Sequence, residues 1–363
     1  MPAGFYAIPV SNVTRETNDA VSITFDVPSL MTSQYHYKAG QYLTFSIVIN
    51  GEEVRRSYSM CSSPISGEQI TIAVKEVENG RMSTYLNRNV KEGDMLDVMP
   101  PMGKFILEPN ATAANHYFLF GGGSGITPLF SIIKTALKAE PNSKCYLVYA
   151  NRDEDSIIFK DELEALEAAH ENLTVIHSLD NPKGAWMGHR GYLTKETVSE
   201  IVRQELGLNY PVAQYYTCGP GPMMDVVVEG LKTIGVRDEN VHTEYFTAVV
   251  KKDSVEESSS GSTEALNYSD EVVERTIQVE VFGEKKEITV KPEQTILIAT
   301  QDAGLDPPYS CCVGVCTTCR AKLRSGKASM EEREGLSDTE IDEGYILTCQ
   351  AHPLSDDVEL VFE

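Results

Sequence analysis

Near the C-terminal end of the 363-residue sequence, Pro308-Tyr-Ser-Cys-Cys-Val-Gly-Val-Cys-Thr-Thr-Cys-Arg320 places Cys311, Cys316 and Cys319 in a C-x4-C-x2-C array. Cys349 follows after 29 further residues, within Leu347-Thr-Cys-Gln-Ala-His352. Three thiolates on one tight loop and a fourth from a distant segment suit a plant-type [2Fe-2S] cluster, with Cys311 and Cys316 capping one iron and Cys319 and Cys349 the other. Four cysteines also suit structural zinc, but such sites usually pair two C-x2-4-C knuckles, and here Cys349 stands without a partner knuckle. Gly314, Thr317 and Thr318 leave room for backbone N–H groups to approach cluster sulfurs. Cys312 falls outside the spacing and reads as a small buried hydrophobe.

Other stretches could bring electrons to such a cluster. In Arg55-Arg-Ser-Tyr-Ser-Met60, Arg56 and Tyr58 share one strand face, where a guanidinium could hold a diphosphate beside an aromatic ring. A surface Arg next to a packed Tyr satisfies the same pattern. Gly80-Arg-Met-Ser83 opens a short helix whose first amides suit a phosphate. Phe120-Gly-Gly-Gly-Ser-Gly-Ile-Thr-Pro128 has Ile126 where G-x-G-x-x-G would place its third glycine. It nevertheless joins a buried strand to a helix, with Thr127 expected at the N-cap and Pro128 in the first turn. Its glycines let backbone approach a pyrophosphate that the helix N-terminus attracts; a plain tight turn is the alternative.

The next strand ends in Tyr149-Ala-Asn-Arg-Asp153. There an acid selects the free ribose of NAD, and an Arg accepts the 2′-phosphate of NADP. Arg152 and Asp153 are adjacent, so both nucleotides stay open; Ser178 and His189-Arg190 tilt the reading towards NADPH with some use of NADH. Cys218, in Thr217-Cys-Gly-Pro-Gly-Pro-Met-Met224, lies at another strand's carboxyl end, where open α/β sheets bind ligands. A buried structural thiol fits that position equally.

The elements that position these residues fall into three groups. Val21-Ser-Ile-Thr-Phe-Asp-Val27, Tyr42-Leu-Thr-Phe-Ser-Ile47 and Gln69-Ile-Thr-Ile-Ala-Val-Lys75 alternate apolar and polar residues between turns at Gly40, Gly51, Gly67 and Gly93. They predict a small antiparallel β-barrel over 1–110, with a helical insert at Met82–Asn87. From His116-Tyr-Phe-Leu-Phe120 onward, strands at 145–149, 173–177 and 214–217 alternate with helices at about 128–139, 159–169 and 223–233. That pattern predicts an α/β doubly wound parallel sheet over 111–247. Residues 248–270, rich in Ser and Glu, read as a flexible linker. Beyond it, a hairpin around Gly283 and a helix at about 295–303 lead into the cysteine loop of a third domain, 271–363.

A net charge of −23 is the wrong sign for binding a nucleic-acid backbone. No apolar run approaches the ~20 residues of a membrane span. The first residues, Met-Pro-Ala-Gly-Phe-Tyr, lack the basic head and apolar core of a signal peptide, so a cytoplasmic protein is expected. Cys61, Cys145 and Cys218 are scattered while five cysteines crowd into 311–349, which reads as metal or redox chemistry, not a disulfide framework.

Together these motifs resemble the ferredoxin–NADP reductase superfamily, in the branch with a C-terminal plant-type ferredoxin domain. Arg56-Ser-Tyr-Ser59 matches its R-x-Y-S flavin motif, Gly121–Pro128 its glycine motif, Cys218-Gly-Pro220 its C-G-P turn, and Glu244-Tyr-Phe246 the segment closing over the flavin. Domain order and the ending Cys349-Gln-Ala-His-Pro353 look most like the reductase components of phenylacetyl-CoA epoxidases. The resemblance implies an FAD barrel, an NAD(P) domain and an α+β β-grasp ferredoxin domain, with FMN a known substitute for FAD among relatives. It implies that Arg56 holds the FAD diphosphate, Tyr58 stacks on the isoalloxazine and Ser59 lies near N5. Ser57, Val74, Lys75, Gly80, Met82 and Ser83 complete the implied flavin contacts. For the nicotinamide nucleotide it implies Gly122, Gly123, Gly125, Thr127, Pro128, Asn151, Arg152, Ser178, Gly219 and Pro220. Cys218 would sit at nicotinamide C4, with Glu244 and Phe246 near the flavin, although Tyr245 stands where the family often has Arg. The implied activity passes electrons from NADPH or NADH through flavin and cluster to an oxygenase component, with Tyr309, Val313, Val315, Glu331 and Glu332 near the exit. A reductase of a free ferredoxin or flavodoxin, or a redox sensor, are the alternatives.

Overall fold

Period-two alternation builds the first sheet. The computed structural model describes residues 4–362 except 79, 246–271, 282, 306, 310, 311, 313, 315, 316, 318, 331, 332, 334 and 337. Strands β1 (Tyr6–Thr17), β2 (Ala20–Phe25), β3 (Tyr42–Ile49), β4 (Glu52–Ser59), β5 (Thr71–Lys75) and β6 (Met95–Val98) pair in the order β4-β3-β6-β1-β2-β5, all antiparallel. A bridge between Met60 and Ile72 joins the two outer strands and closes the curl. Inward residues such as Ile8, Ile23, Phe25, Phe45 and Ile72 fill the interior, and helix α1 (Arg81–Arg88) adds Met82 and Leu86 to it.

The second sheet is parallel throughout. Strands β7 (His116–Gly122), β8 (Lys144–Asn151), β9 (Leu173–Leu179), β10 (His189–Arg190), β11 (Gln214–Gly219) and β12 (Val241–Tyr245) lie in the order β10-β9-β8-β7-β11-β12. Helices α2 (Ile126–Ala139) and α3 (Lys160–Ala169) contribute Ile132, Ile133 and Leu163 to the core on one face. Helices α4 (Lys195–Leu206) and α5 (Gly221–Thr233) bury Val198, Val202, Val227 and Leu231 on the other. The strand order reverses between β7 and β11, the switch point at which such sheets bind ligands. Helix α4 is absent from the sequence-based expectation; its four buried apolar residues recur at helical spacing, but the stretch is otherwise polar.

Barrel and parallel sheet belong to one unit, Met1–Thr247. Ser131 Oγ donates to Ser62 O at 2.6 Å, and Ser63 and Thr135 share a hydroxyl pair at 2.8 Å. The buried Glu140 carboxylate accepts from Asn110 N, Tyr117 Oη and Ser143 Oγ, tying the connector between the sheets to the end of α2.

The second unit, Ala248–Glu363, contains the ferredoxin-like sheet. Strands β13 (Arg275–Val281) and β14 (Glu284–Val290) form the expected hairpin around Gly283, whose φ of 89° favours glycine; Phe282 lies outside the described residues. Helix α6 (Ile296–Asp302) starts at an N-cap Thr295 that accepts from Ile298 N. Strand β15 (Arg320–Ser325), strand β16 (Ala328–Met330), helix α7 (Asp338–Asp342), and strands β17 (Tyr345–Leu347), β18 (Ala351–Pro353) and β19 (Glu359–Phe362) follow. The order β14-β13-β19-β15-β17 puts the last strand beside the first, in parallel, as in a β-grasp fold. Among the described residues, no helix is long and apolar enough to cross a membrane.

Candidate functional site

The register of β3 on β4 sets the flavin motif. Leu43 faces Tyr58 and Phe45 faces Arg56, so Arg56 and Tyr58 share one side as the spacing predicts. Arg56 is exposed, while the half-buried Tyr58 ring lies 5.9 Å from the ring of Phe45. Burial pushes the Tyr58 phenol up, against the pull of the nearby Arg56 charge. On the opposite side Ser57 shares a hydroxyl pair with Thr44 at 2.9 Å. At the end of β4, Ser59 Oγ donates to Glu244 Oε2 at 3.2 Å, a contact between the barrel and the parallel sheet. Ser59 and Glu244 are 2% and 4% exposed.

Glu244 stands in register with Cys218, and Cys218 in register with Gly121, so three motifs distant in sequence end abreast on β12, β11 and β7. The turns between them pack backbone on backbone. A Cβ on Gly125 would lie 2.0 Å from Cys218 O, and one on Gly122 would lie 2.7 Å from both Met223 Sδ and Pro220 Cδ. A Cβ on Gly219 would lie 2.8 Å from Met223 Cε and 3.0 Å from Gly122 Cα, so these three positions leave no room for a side chain. Gly123 is glycine for another reason: its φ of 53° lies in the left-handed region. Thr127 is not the N-cap. Gly123–Gly125 form a 3-10 turn that runs directly into α2, Gly125 takes the cap position, and Thr127 Oγ1 donates back to Ser124 O at 3.0 Å. Pro128 accordingly stands in the third helical position.

Charge and unpaired polarity gather around this turn. Lys75 Nζ reaches to 3.8 Å from where a Gly123 Cβ would be, and lies 3.8 Å from Asp19 Oδ2. Buried Asn151 (Nδ2, Oδ1) and Thr217 (Oγ1) carry polar atoms that meet no hydrogen-bond partner among the described residues. A side-chain-free backbone cradle with a cation and unmet polar groups beside it fits a dinucleotide pyrophosphate. At the tip of β8, Arg152 lies 3.5 Å from Asp153 and 3.9 Å from Asp19, its side chain 64% exposed. Desolvation opposes ionisation of Asp153, but its bonds with Ser156 and the Arg152 charge outweigh it and hold the carboxyl below its usual range. Asp19 was not singled out from sequence, where no motif marks it. Buried Ser178 donates to Gly191 O at 3.2 Å, and Arg190 donates to Gly184 O, so both are engaged by their own loop.

At the start of α1, Gly80 is the N-cap, and Ser83 Oγ accepts from Val77 N at 3.1 Å, holding the loop that leads into the helix. Val74 and Met82 are core residues of the barrel. In the second unit, Cys319 and Cys349 are buried together with Leu297, Leu336 and Leu347. Thr348 donates through N and Oγ1 to Cys319 O, fixing the two cysteine segments side by side, and paired buried thiols are the donor set that an iron–sulfur cluster needs. Cys312 is half-buried with φ 58°, and its carbonyl accepts from Gln350 Nε2 at 3.2 Å. Cys311, Cys316, Phe246, Val313, Val315, Glu331 and Glu332 lie outside the described residues; Tyr309 is described and exposed.

Three family descriptions match successive parts of the chain: an oxidoreductase FAD-binding domain at residues 7–106, an oxidoreductase NAD-binding domain at 119–229, and a 2Fe-2S iron-sulfur cluster binding domain at 279–354. The chain is 36% identical to a component of the 1,2-phenylacetyl-CoA epoxidase of Escherichia coli K12, covering 99% of this chain and 98% of that one. It is 35% identical to the ferredoxin reductase component of the 3-ketosteroid-9-alpha-monooxygenase of Rhodococcus rhodochrous, covering 98% and 96%. Among solved structures, phthalate dioxygenase reductase superposes with a TM-score of 0.63 at 25% identity, over 99% of this chain and 98% of that one. With its flavin barrel, glycine-turned nucleotide sheet and cysteine-bearing β-grasp unit in this order, the chain belongs to the oxygenase reductase components of the ferredoxin–NADP reductase superfamily.

Proposed function

We propose that the chain accepts a hydride from NADPH or NADH at the junction of Ser59, Cys218 and Glu244. It then releases single electrons, through a cluster held by Cys311, Cys316, Cys319 and Cys349, to an oxygenase component akin to a phenylacetyl-CoA epoxidase. The observation that carries this reading is the buried Ser59–Glu244 hydrogen bond abreast of Cys218. When bound, nicotinamide nucleotide, FAD and [2Fe-2S] cluster supply hydride donation, its division into single electrons, and one-electron exit.

The chain's own residues position these groups. Arg56 and the first amides of α1, beside Gly80 and Ser83, hold a diphosphate, and Tyr58 covers the ring. Val74 and Met82 stiffen the strand and helix beneath it. The turn of Gly122, Gly123 and Gly125, with Thr127, Pro128, Gly219 and Pro220, cradles the pyrophosphate, and Lys75 faces it from the barrel. Asn151 and Arg152 take the ribose end, and Ser178 supports the loop beside them. Buried beside Ser59, Glu244 orients that hydroxyl and keeps a proton acceptor at the reacting face. Phe246, the aromatic residue of the same family motif, is proposed as a flavin contact. The domains divide as 1–110 for FAD, 111–247 for nucleotide, 248–270 as linker and 271–363 for the cluster. The reading places the protein in the cytoplasm, whose reducing poise keeps cysteines available to iron.

Purified protein is expected to carry FAD and about two irons with two acid-labile sulfides per chain. Cys349→Ser should abolish cytochrome c reduction by NADPH or NADH while ferricyanide reduction, drawn from the flavin, persists. Equal loss of both activities would refute the division between flavin and cluster.

A further inference from the structure

The second unit is acidic, yet one strand of its sheet is not. Residues 272–363 carry 18 Asp and Glu against nine Lys and Arg, and three of those nine stand on the six-residue strand β15. Ala321 points into the core with its neighbours Ile346 and Phe362. Arg320 and Lys322 therefore face outward by the two-residue alternation, and Arg324, at a bulge in the pairing with β19, is exposed. Both Arg320 and Lys322 lie over the ring of Tyr345, at 4.6 and 4.9 Å from its centroid. Elsewhere on the outer face the cation is outnumbered: Lys285 pairs with both Glu280 and Glu359. On β15, Arg320 meets Glu340 at 2.7 Å, but among the described residues Lys322 and Arg324 meet no carboxylate. Arg320 directly follows Cys319, so this cationic strand begins at a cluster ligand.

We propose that Arg320, Lys322 and Arg324, flanking Tyr345, form the docking face for an acidic patch on the electron-accepting oxygenase component. The proposal rests on the reading of Cys319 as a cluster ligand in an oxygenase reductase. A protein of net charge −23 repels an acidic partner at long range, so uncompensated cations at the electron exit would orient the encounter. Guanidinium groups on a rigid strand bind carboxylates with defined geometry, and an aromatic ring beneath them supplies area at little entropic cost.

The test uses the full holoprotein and two acceptors with the same haem and opposite charge: native cytochrome c, which is basic, and succinylated cytochrome c, whose lysines carry carboxylates. Lys322→Glu with Arg324→Glu should slow reduction of the succinylated form about tenfold at low ionic strength and speed that of the native form. The two effects should vanish together near about 0.5 M salt. Lys285→Glu, on the same face but among carboxylates that already pair with it, should change either rate by less than about twofold. Equal responses of both acceptors, or none, would overturn the proposal. So would slower NADH-driven cluster reduction without acceptor, which would assign the strip to the chain's own flavin unit. Loss of a wild-type dimer in sedimentation would likewise assign it to a second copy. If native protein leaves its cluster oxidised with both nicotinamides, the electron-transfer reading fails, and the docking face falls with it.

Discussion

The junction at Ser59 and the tip of β8 are built by opposite means. At the junction, Ser59, Cys218 and Glu244 are buried, and backbone contacts as close as Gly125 against Cys218 O fix their positions. At the tip, Arg152 is 64% exposed and held between two carboxylates at 3.5 and 3.9 Å. A buried contact with no room to relax sets geometry sharply, whereas exposed ion pairs of this kind contribute about 0–1 kcal/mol each and exchange partners readily. In the proposed function, hydride geometry would rest on packing, and nucleotide choice on charge that can be redistributed.

Four substitutions break or sharpen that contrast. The largest effect is expected from Gly125→Ala, whose methyl group would force the glycine turn away from β11. Stopped-flow flavin reduction by NADPH or NADH should slow by about a hundredfold or more, with a lower Tm. Near-native rates would show that the turn is not tightly held. Glu244→Gln keeps the shape and an acceptor for Ser59 but removes the charge; hydride transfer should slow about tenfold to a hundredfold at unchanged KM. A rate within about twofold of native would assign the carboxylate a packing role. Smallest is Arg152→Ala, which should raise KM for NADPH about threefold more than KM for NADH. Its complement, Asp19→Asn, should release Arg152 and lower the KM for NADPH by about twofold. An unchanged NADPH/NADH ratio in both would remove Arg152 from phosphate recognition.

Sequence reached furthest where local spacing carries the physics. Period-two alternation marked several barrel strands, and cysteine spacing defined a ligand set of which Cys319 and Cys349 are seen buried together. The glycine turn was legible as a turn, but the start of α2 was not. Thr127 looks like a cap in sequence, yet the 3-10 turn at Gly123–Gly125 moves the helix start to Ile126 and sends the hydroxyl back to Ser124 O. That the Ser83 hydroxyl accepts from Val77 N was likewise not legible in the local pattern. Contacts that join distant strands left no local signal. Asp19 meets Lys75 and Arg152 only once three strand ends converge. Ser59 and Glu244, 185 residues apart, were linked beforehand only through resemblance to a family.

Strand β12 has a mechanical consequence. It lies at the edge of its sheet, bonded only to β11, and Glu244 is its penultimate residue. The covalent path to the second unit leaves the first from the end of this strand. Any tension applied when the second unit is held by a partner would therefore load the hydrogen bonds of β12 before those of any other strand. The pairing of Tyr245 with Gly219 is loaded first, and the next residue in is Glu244, whose carboxylate meets Ser59. The covalent connection to the second unit thus leaves β12 one residue beyond the carboxylate that meets Ser59.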